Sequence, residues 1–137
     1  MILSMGFSNP RARVLADVIE GAKTSDARWT GQHPEFSFAL ARTTDLDLYI
    51  RFAVHSRTFA DTGPVTLSIY VNGDRIDQAR FDTSGEKKYS HTVPSSLLER
   101  KNPAVVRIEV DPAWSPPDYG PKLGILLFDI GFEDHAK

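Results

Sequence analysis

Apolar and polar residues alternate with a period of two along most of this chain. Val65, Leu67, Ile69 and Val71 are interleaved with Thr66, Ser68, Tyr70 and Asn72. Successive side chains of a strand point to opposite faces, so this pattern predicts one face on a core and the other near water. Leu46, Leu48, Ile50, Phe52 and Val54 repeat the pattern, as do Phe36, Phe38 and Leu40, and Val106, Ile108 and Val110. In the last series Leu126, Phe128, Ile130 and Phe132 share one face, while Ile125 and Leu127 make the other face apolar too. A strand apolar on both faces is expected at the centre of a sheet. Asn72-Gly73 suits the two positive φ angles of a type I′ turn, which predicts a hairpin into residues 75–81.

Helical periodicity is sparse. Pro10 to Glu20 is the best stretch, with Val14, Leu15, Val18 and Ile19 on one side, Asn9 as cap and Gly21 as stop. Residues 94–100 suggest a single turn. The remaining segments are short and separated by Gly, Pro, Asn and Asp clusters. Together they predict one all-β domain, a jelly-roll β-sandwich of about eight antiparallel strands with one short N-terminal helix. A chain of 137 residues is long enough to bury a core without staples.

Composition narrows the chemistry. The chain has no cysteine, which excludes disulfides and thiol catalysis. Its formal charge is −2, and the short basic pairs Arg11/Arg13, Lys87/Lys88 and Arg100/Lys101 lie far apart. No basic stripe marks a nucleic-acid binder, and no apolar run approaches the roughly 20 residues of a membrane span. The start, Met1-Ile2-Leu3-Ser4-Met5, lacks the charged region of a secretory signal. The expectation is a soluble protein of the cytoplasm or periplasm.

Catalytic motifs are weak. Asp61-Thr62-Gly63 matches the aspartic protease triplet, but it follows a polar segment and reads as a turn. Ser84 and Lys87 have acyl-enzyme spacing only if they share a helix, and Gly85 makes that segment a turn. His33, His55, His91 and His135 show no i, i+2 or i, i+4 pairing for a metal. Asp45 and Asp47 fall on one face of a predicted strand; they are either its solvent face or weak ligands for a structural calcium, the one candidate cofactor.

The aromatics carry more. Trp29 follows Arg28, while Trp114, Asp118, Tyr119 and Lys122 lie in a proline-rich C-terminal loop. Exposed flat rings stack on the C–H face of a sugar, and neighbouring charged groups bond its hydroxyls. The competing use of such rings is as plugs that close an open end of the core.

Gly6-Phe7-Ser8, Arg28-Trp29-Thr30, Val71-Asn72-Gly73, the turn at Pro94–Leu98 and Lys122-Leu123-Gly124-Ile125 together resemble a group of bacterial galactose-binding-like β-sandwich modules. Pro10–Asp26 lengthens the first segment relative to that pattern, and Lys122 stands where an arginine is frequent. The resemblance implies a jelly roll that accompanies glycosyltransferases and other surface-polysaccharide proteins. It carries over no catalytic residue. The resulting expectation is a non-catalytic glycan-binding or glycan-associated module. The alternatives are a structural or protein-interaction module, including a homo-oligomer, and a hydrolase whose site assembles in space.

Overall fold

The computed structural model describes residues 2–5, 10–19, 27–117 and 120–135. Among them are nine strands and two short helices: β1 (Ile2–Ser4), β2 (Ala12–Val18), β3 (Arg28–Phe38), β4 (Leu46–Val54), α1 (Ser56–Thr62), β5 (Val65–Val71), β6 (Asp74–Phe81), β7 (Gly85–Val93), α2 (Ser95–Glu99), β8 (Ala104–Asp111) and β9 (Leu126–Asp134). All pairings are antiparallel. The chain is therefore all-β, as its alternation predicts, and its sheet curls into a nearly closed barrel.

The pairing order along the sheet is β6-β5-β8-β3-β9-β4-β7. The long strand β3 belongs to both halves. Its start, Arg28 and Trp29, pairs with β9. Its end, Glu35–Phe38, pairs with β8 on one side and β2 on the other. β1 extends the first half beside β9.

The change of partner occurs where β3 and the residues before β9 nearly touch. Thr30 is fully buried; its N–H donates to the Ile125 carbonyl at 2.9 Å and its carbonyl accepts from Gly124 N–H at 2.8 Å. The Thr30 hydroxyl accepts from Ile125 N–H at 3.1 Å and donates to the Gly31 carbonyl at 2.8 Å. A Cβ on Gly124 would stand 2.3 Å from the Gly31 carbonyl oxygen. Glycine is required there by the approach of one backbone to another, not by its own torsion angles.

Alternation places the core as expected. Leu46, Leu48, Ile50, Phe52 and Val54 are buried, as are Val65, Leu67, Ile69 and Val71. Asn72 and Gly73 adopt φ of 49° and 92°, the predicted turn. β9 is internal, with β4 on one edge and β3 and β1 on the other.

Two expectations fail. The segment predicted as a helix over residues 10–20 is strand β2 across Ala12–Val18. Its register against β3 slips twice, after Val14 and after Ala16, and Asp17 takes φ 61°. Two irregularities in seven residues break the period of two and spread the apolar positions to a helix-like spacing. Val14 and Leu15, assigned to a buried helix face, are exposed. Asn9, Glu20 and Gly21 lie outside the described residues.

The second failure is in β9. Arg51 faces Asp129 but the next residue, Phe52, faces Leu127, so Phe128 is an extra residue on β9. Leu127, Ile130 and Phe132 are buried, whereas Phe128 is only half-buried. The Arg51 guanidinium lies 4.7 Å from the Phe128 ring centre and bonds Asp129 at 2.8 Å. The bulge thus turns Phe128 away from the series that simple alternation assigns it to.

Replacing Gly124 with alanine is expected to lower stability by about 3 kcal/mol, since neither backbone can move without breaking the Thr30 bonds. Urea denaturation measures this; a loss below about 0.5 kcal/mol, the usual range for surface changes, would contradict the crossing geometry.

Candidate functional site

β6 and β7 are consecutive in the chain and lie at opposite ends of the pairing order. β6 pairs with β5 and β7 with β4, and among the described residues no ladder joins β6 to β7. Side chains alone meet across this seam. On β7, Lys87, Tyr89, His91 and Val93 oppose the buried positions Phe52, Ile50, Leu48 and Leu46 of β4, so they share the inward face. On β6, Asp77 opposes buried Ile69. The β5–β6 register slips after Ile69, leaving Ile76 as an extra residue, and both Ile76 and Asp77 are half-buried.

The seam is therefore polar on its inner side. The Tyr89 hydroxyl donates to the Asp77 carboxylate at 2.7 Å. The His91 ring stacks beside Tyr89 with 10° between their planes, and its Nε2 lies 3.9 Å from Asp77. Towards the β6–β7 turn, Phe52 and Phe81 pack edge to face at 5.0 Å. The hydrogen bond from Tyr89 holds the Asp77 carboxyl below the ordinary carboxylate range, against the opposing effect of its burial. Burial, reinforced by the Asp77 charge, pushes the Tyr89 phenol well above its usual range. The tyrosine thus stays a donor and the aspartate an acceptor over the whole neutral range.

At its α2 end the seam opens into a cleft of about 430 Å³. β6 contributes Asp74, Arg75 and Ile76, and β7 contributes His91 and Thr92. The opposite wall comes from α2 and its flanks: Pro94, Ser96, Leu97 and Arg100. The hairpin turn fixes that wall. Asn72 Nδ2 donates to the carbonyls of Leu97 and Lys101 at 2.9 and 3.2 Å, while its Oδ1 accepts from Val105 N–H at 2.9 Å. Arg100 donates to Asp74 across the cleft mouth at 2.6 Å. Arg75 is exposed and makes no ion pair with any described residue. His91 Nδ1 contacts the Thr92 carbonyl at 2.7 Å; a carbonyl only accepts, so Nδ1 carries hydrogen and Nε2 is the nitrogen facing Asp77. Among the described residues no hydroxyl is seen bonded to the His91 ring. The cleft offers hydrogen-bonding groups beside the apolar side chains of Ile76, Pro94 and Leu97. A second opening, of about 460 Å³, lies beside Arg42, Leu46 and Phe132, where Arg42 is already paired with Asp134.

The aromatic residues singled out in the sequence do come together, in a different place. Trp29 and Trp114 rings lie 5.8 Å apart, and His55 stands 5.5 Å from Trp29 and stacks on Trp114 at 6.5 Å. Trp114 is only 7% exposed. Its indole N–H donates to Asp61 at 2.7 Å, and its backbone exchanges two 2.8 Å bonds with Leu123 that close the C-terminal loop. Trp114 is thus a plug tied down at both ends, whereas Trp29 is half-buried. Arg28 is half-buried with its Nε enclosed and unpartnered among the described residues, and Lys122 is exposed. Asp118 and Tyr119 lie outside the described residues. None of the described ones lines the seam cleft. Asp61 closes α1 instead of a bare turn, and Gly63 beyond it takes φ 73°. His55 Nδ1 accepts from Arg57 N–H at 3.1 Å and caps that helix.

Asp45 is not on the strand with Asp47; it precedes β4 at φ 55°. The Asp47 carboxylate is engaged by His135 Nδ1 at 2.9 Å. Among the described residues no group of three or more acidic or histidine side chains converges to hold a metal ion.

Asp77 and Tyr89 belong to no sequence motif, and His91 stands out only as one of four isolated histidines. A signal is present for His91 all the same: it shares the two-residue period of Tyr89 and Val93, both buried on β7.

Comparison with known proteins brings no relative: no family model matches the chain, and no curated protein or solved structure is significantly similar to it.

Tyr89→Phe removes the seam bond and is expected to cost about 1 kcal/mol at neutral pH. Asp77 titrates low in the folded state, so its stabilising share is complete above the ordinary carboxylate value, about pH 4, and is lost as pH falls below it. The gap between variant and wild type should close over that acid range in urea titrations. Equal stability of the two proteins at pH 7 would remove the bond from the account.

Proposed function

We propose that this chain is a non-catalytic jelly-roll module of the galactose-binding-like kind, and that it takes a glycan in the cleft between β6 and β7. The pairing order supports the jelly-roll part. One half runs β1-β9-β4-β7 and the other β3-β8-β5-β6, the interleaving that two nested Greek keys produce. One observation carries the ligand part. The cleft combines hydroxyl, imidazole and guanidinium groups with the apolar side chains of Ile76, Pro94 and Leu97. A saccharide has the matching surface, a ring of hydroxyls around patches of C–H.

Trp114 supports this reading less than its sequence context suggests, because its ring is buried and its N–H is used. The alternative of a strand-pairing interaction module finds support in the free edges of β6 and β7. Against it, Asp77 and Lys87 point inward on those edges, a device that discourages added strands.

The test is titration with oligosaccharides from bacterial surface polysaccharides, followed residue by residue through amide chemical shifts. The expected result is saturable shifts at Arg75, Thr92 and Ser96 with the α1 end unmoved. Shifts confined to Trp29 and the C-terminal loop, or none with any sugar, would overturn it.

A further inference from the structure

We propose that the glycan taken by the β6–β7 cleft is an acidic one, whose carboxylate sits against Arg75 with Arg100 beside it; this rests on the cleft being the binding site. The charges that line the cleft are two guanidinium groups and one carboxylate, apart from His91. Their sum is positive in a chain whose formal charge is −2. The two arginines are held differently. Arg100 reaches from the α2 side and donates one N–H to Asp74 at 2.6 Å. A guanidinium has five N–H donors in a fixed fork, so donors remain for a ligand. Arg75 follows the hairpin turn and has no charged partner among the described residues.

A neutral sugar would leave the Arg75 charge uncompensated as the cleft fills. A carboxylate would accept two parallel bonds from it, and charge-assisted bonds of that kind are the stronger ones. The groups around that position fit the rest of an acidic sugar. Ser96 lines the same cleft with a hydroxyl, Ile76 and Leu97 line it with apolar side chains, and Thr92 stands at its edge with its hydroxyl 3.4 Å from His135 Nδ1. Asp77, 3.9 Å from His91, is engaged by Tyr89. The charge of Asp74 is compensated by Arg100; Asp77 keeps its charge but is not among the residues that line the cleft.

Calorimetric titration of the intact chain with three probes separates the outcomes: a uronate oligosaccharide, a neutral oligosaccharide of the same length, and acetate. The uronate is expected to bind about tenfold more tightly than the neutral sugar, with an advantage that shrinks as salt rises. Arg75→Gln should bring uronate affinity down to the neutral level and leave the neutral sugar unaffected. Lys88→Gln, an exposed change on β7 outside the cleft, should alter neither. Equal binding of uronate and neutral sugar by the wild type would overturn the acidic preference and leave the cleft as a glycan site. Acetate binding as tightly as the uronate would overturn the saccharide part. Binding of neither sugar would overturn the cleft reading as well. Should Arg75→Gln fold poorly, Arg75→Lys keeps the charge but loses the fork, and full retention of the uronate preference there would overturn bidentate recognition.

Discussion

The architecture depends on one strand serving two half-sheets. β3 leaves β9 and joins β8 within a few residues, and it does so only because two backbones approach at Gly31 and Gly124 with no Cβ between them. Thr30, fully buried, then makes four hydrogen bonds at the crossing, to Gly31, Gly124 and Ile125. Unpaired polar groups at such a point would each cost about 1–3 kcal/mol, so crossing and bonding stand or fall together. Asp17 of β2 covers the outer side; its carboxylate accepts from His33 N–H at 2.7 Å and occupies the space where a Gly31 side chain would stand.

Closure on the β3 side leaves the opposite side open. There, among the described residues, β6 and β7 are each paired on one edge only; the side chains of Tyr89 and Asp77 join them, and Phe81 of β6 reaches past β7 to pack on Phe52 of β4. A side-chain join is local and leaves room for a cleft at one end, which a backbone ladder would not. The same inward polar residues that bridge the seam also guard its free edges against added strands. Scaffold and site are thus two consequences of where the sheet is joined by backbone and where it is not. The Asn72 side chain links them, since the turn that begins β6 also holds α2 as the far wall of the cleft.

Much of the fold was legible because burial imposes a period of two. β4, β5 and β8 show it cleanly, and each lies in the interior of the pairing order. The period misleads where the register slips. In β2 two slips give Val14, Leu15 and Val18 the spacing of a helix, and in β9 one extra residue moves Phe128 to the outer side. A bulge is settled by tertiary pairing and leaves no local mark on residues such as these. The site was less legible still. Trp29, Trp114 and Arg28 drew attention as large side chains near turns, but Trp114 spends its ring on the core and its N–H on Asp61, distant in sequence. Asp77, Tyr89, His91, Arg75 and Arg100 come from three elements, and their meeting follows from which edges remain unpaired. That is a property of topology, which no spacing within one strand encodes.

The open seam is the central claim, and amide hydrogen exchange across β6 and β7 tests it most directly. In a strand paired on one edge, alternate N–H groups point to the partner and the others to solvent. The account predicts that protected and fast-exchanging amides alternate along Glu86–Thr92 of β7 and along Gln78–Arg80 of β6. Uniform protection along both strands would mean that a backbone ladder closes the barrel, and would contradict it.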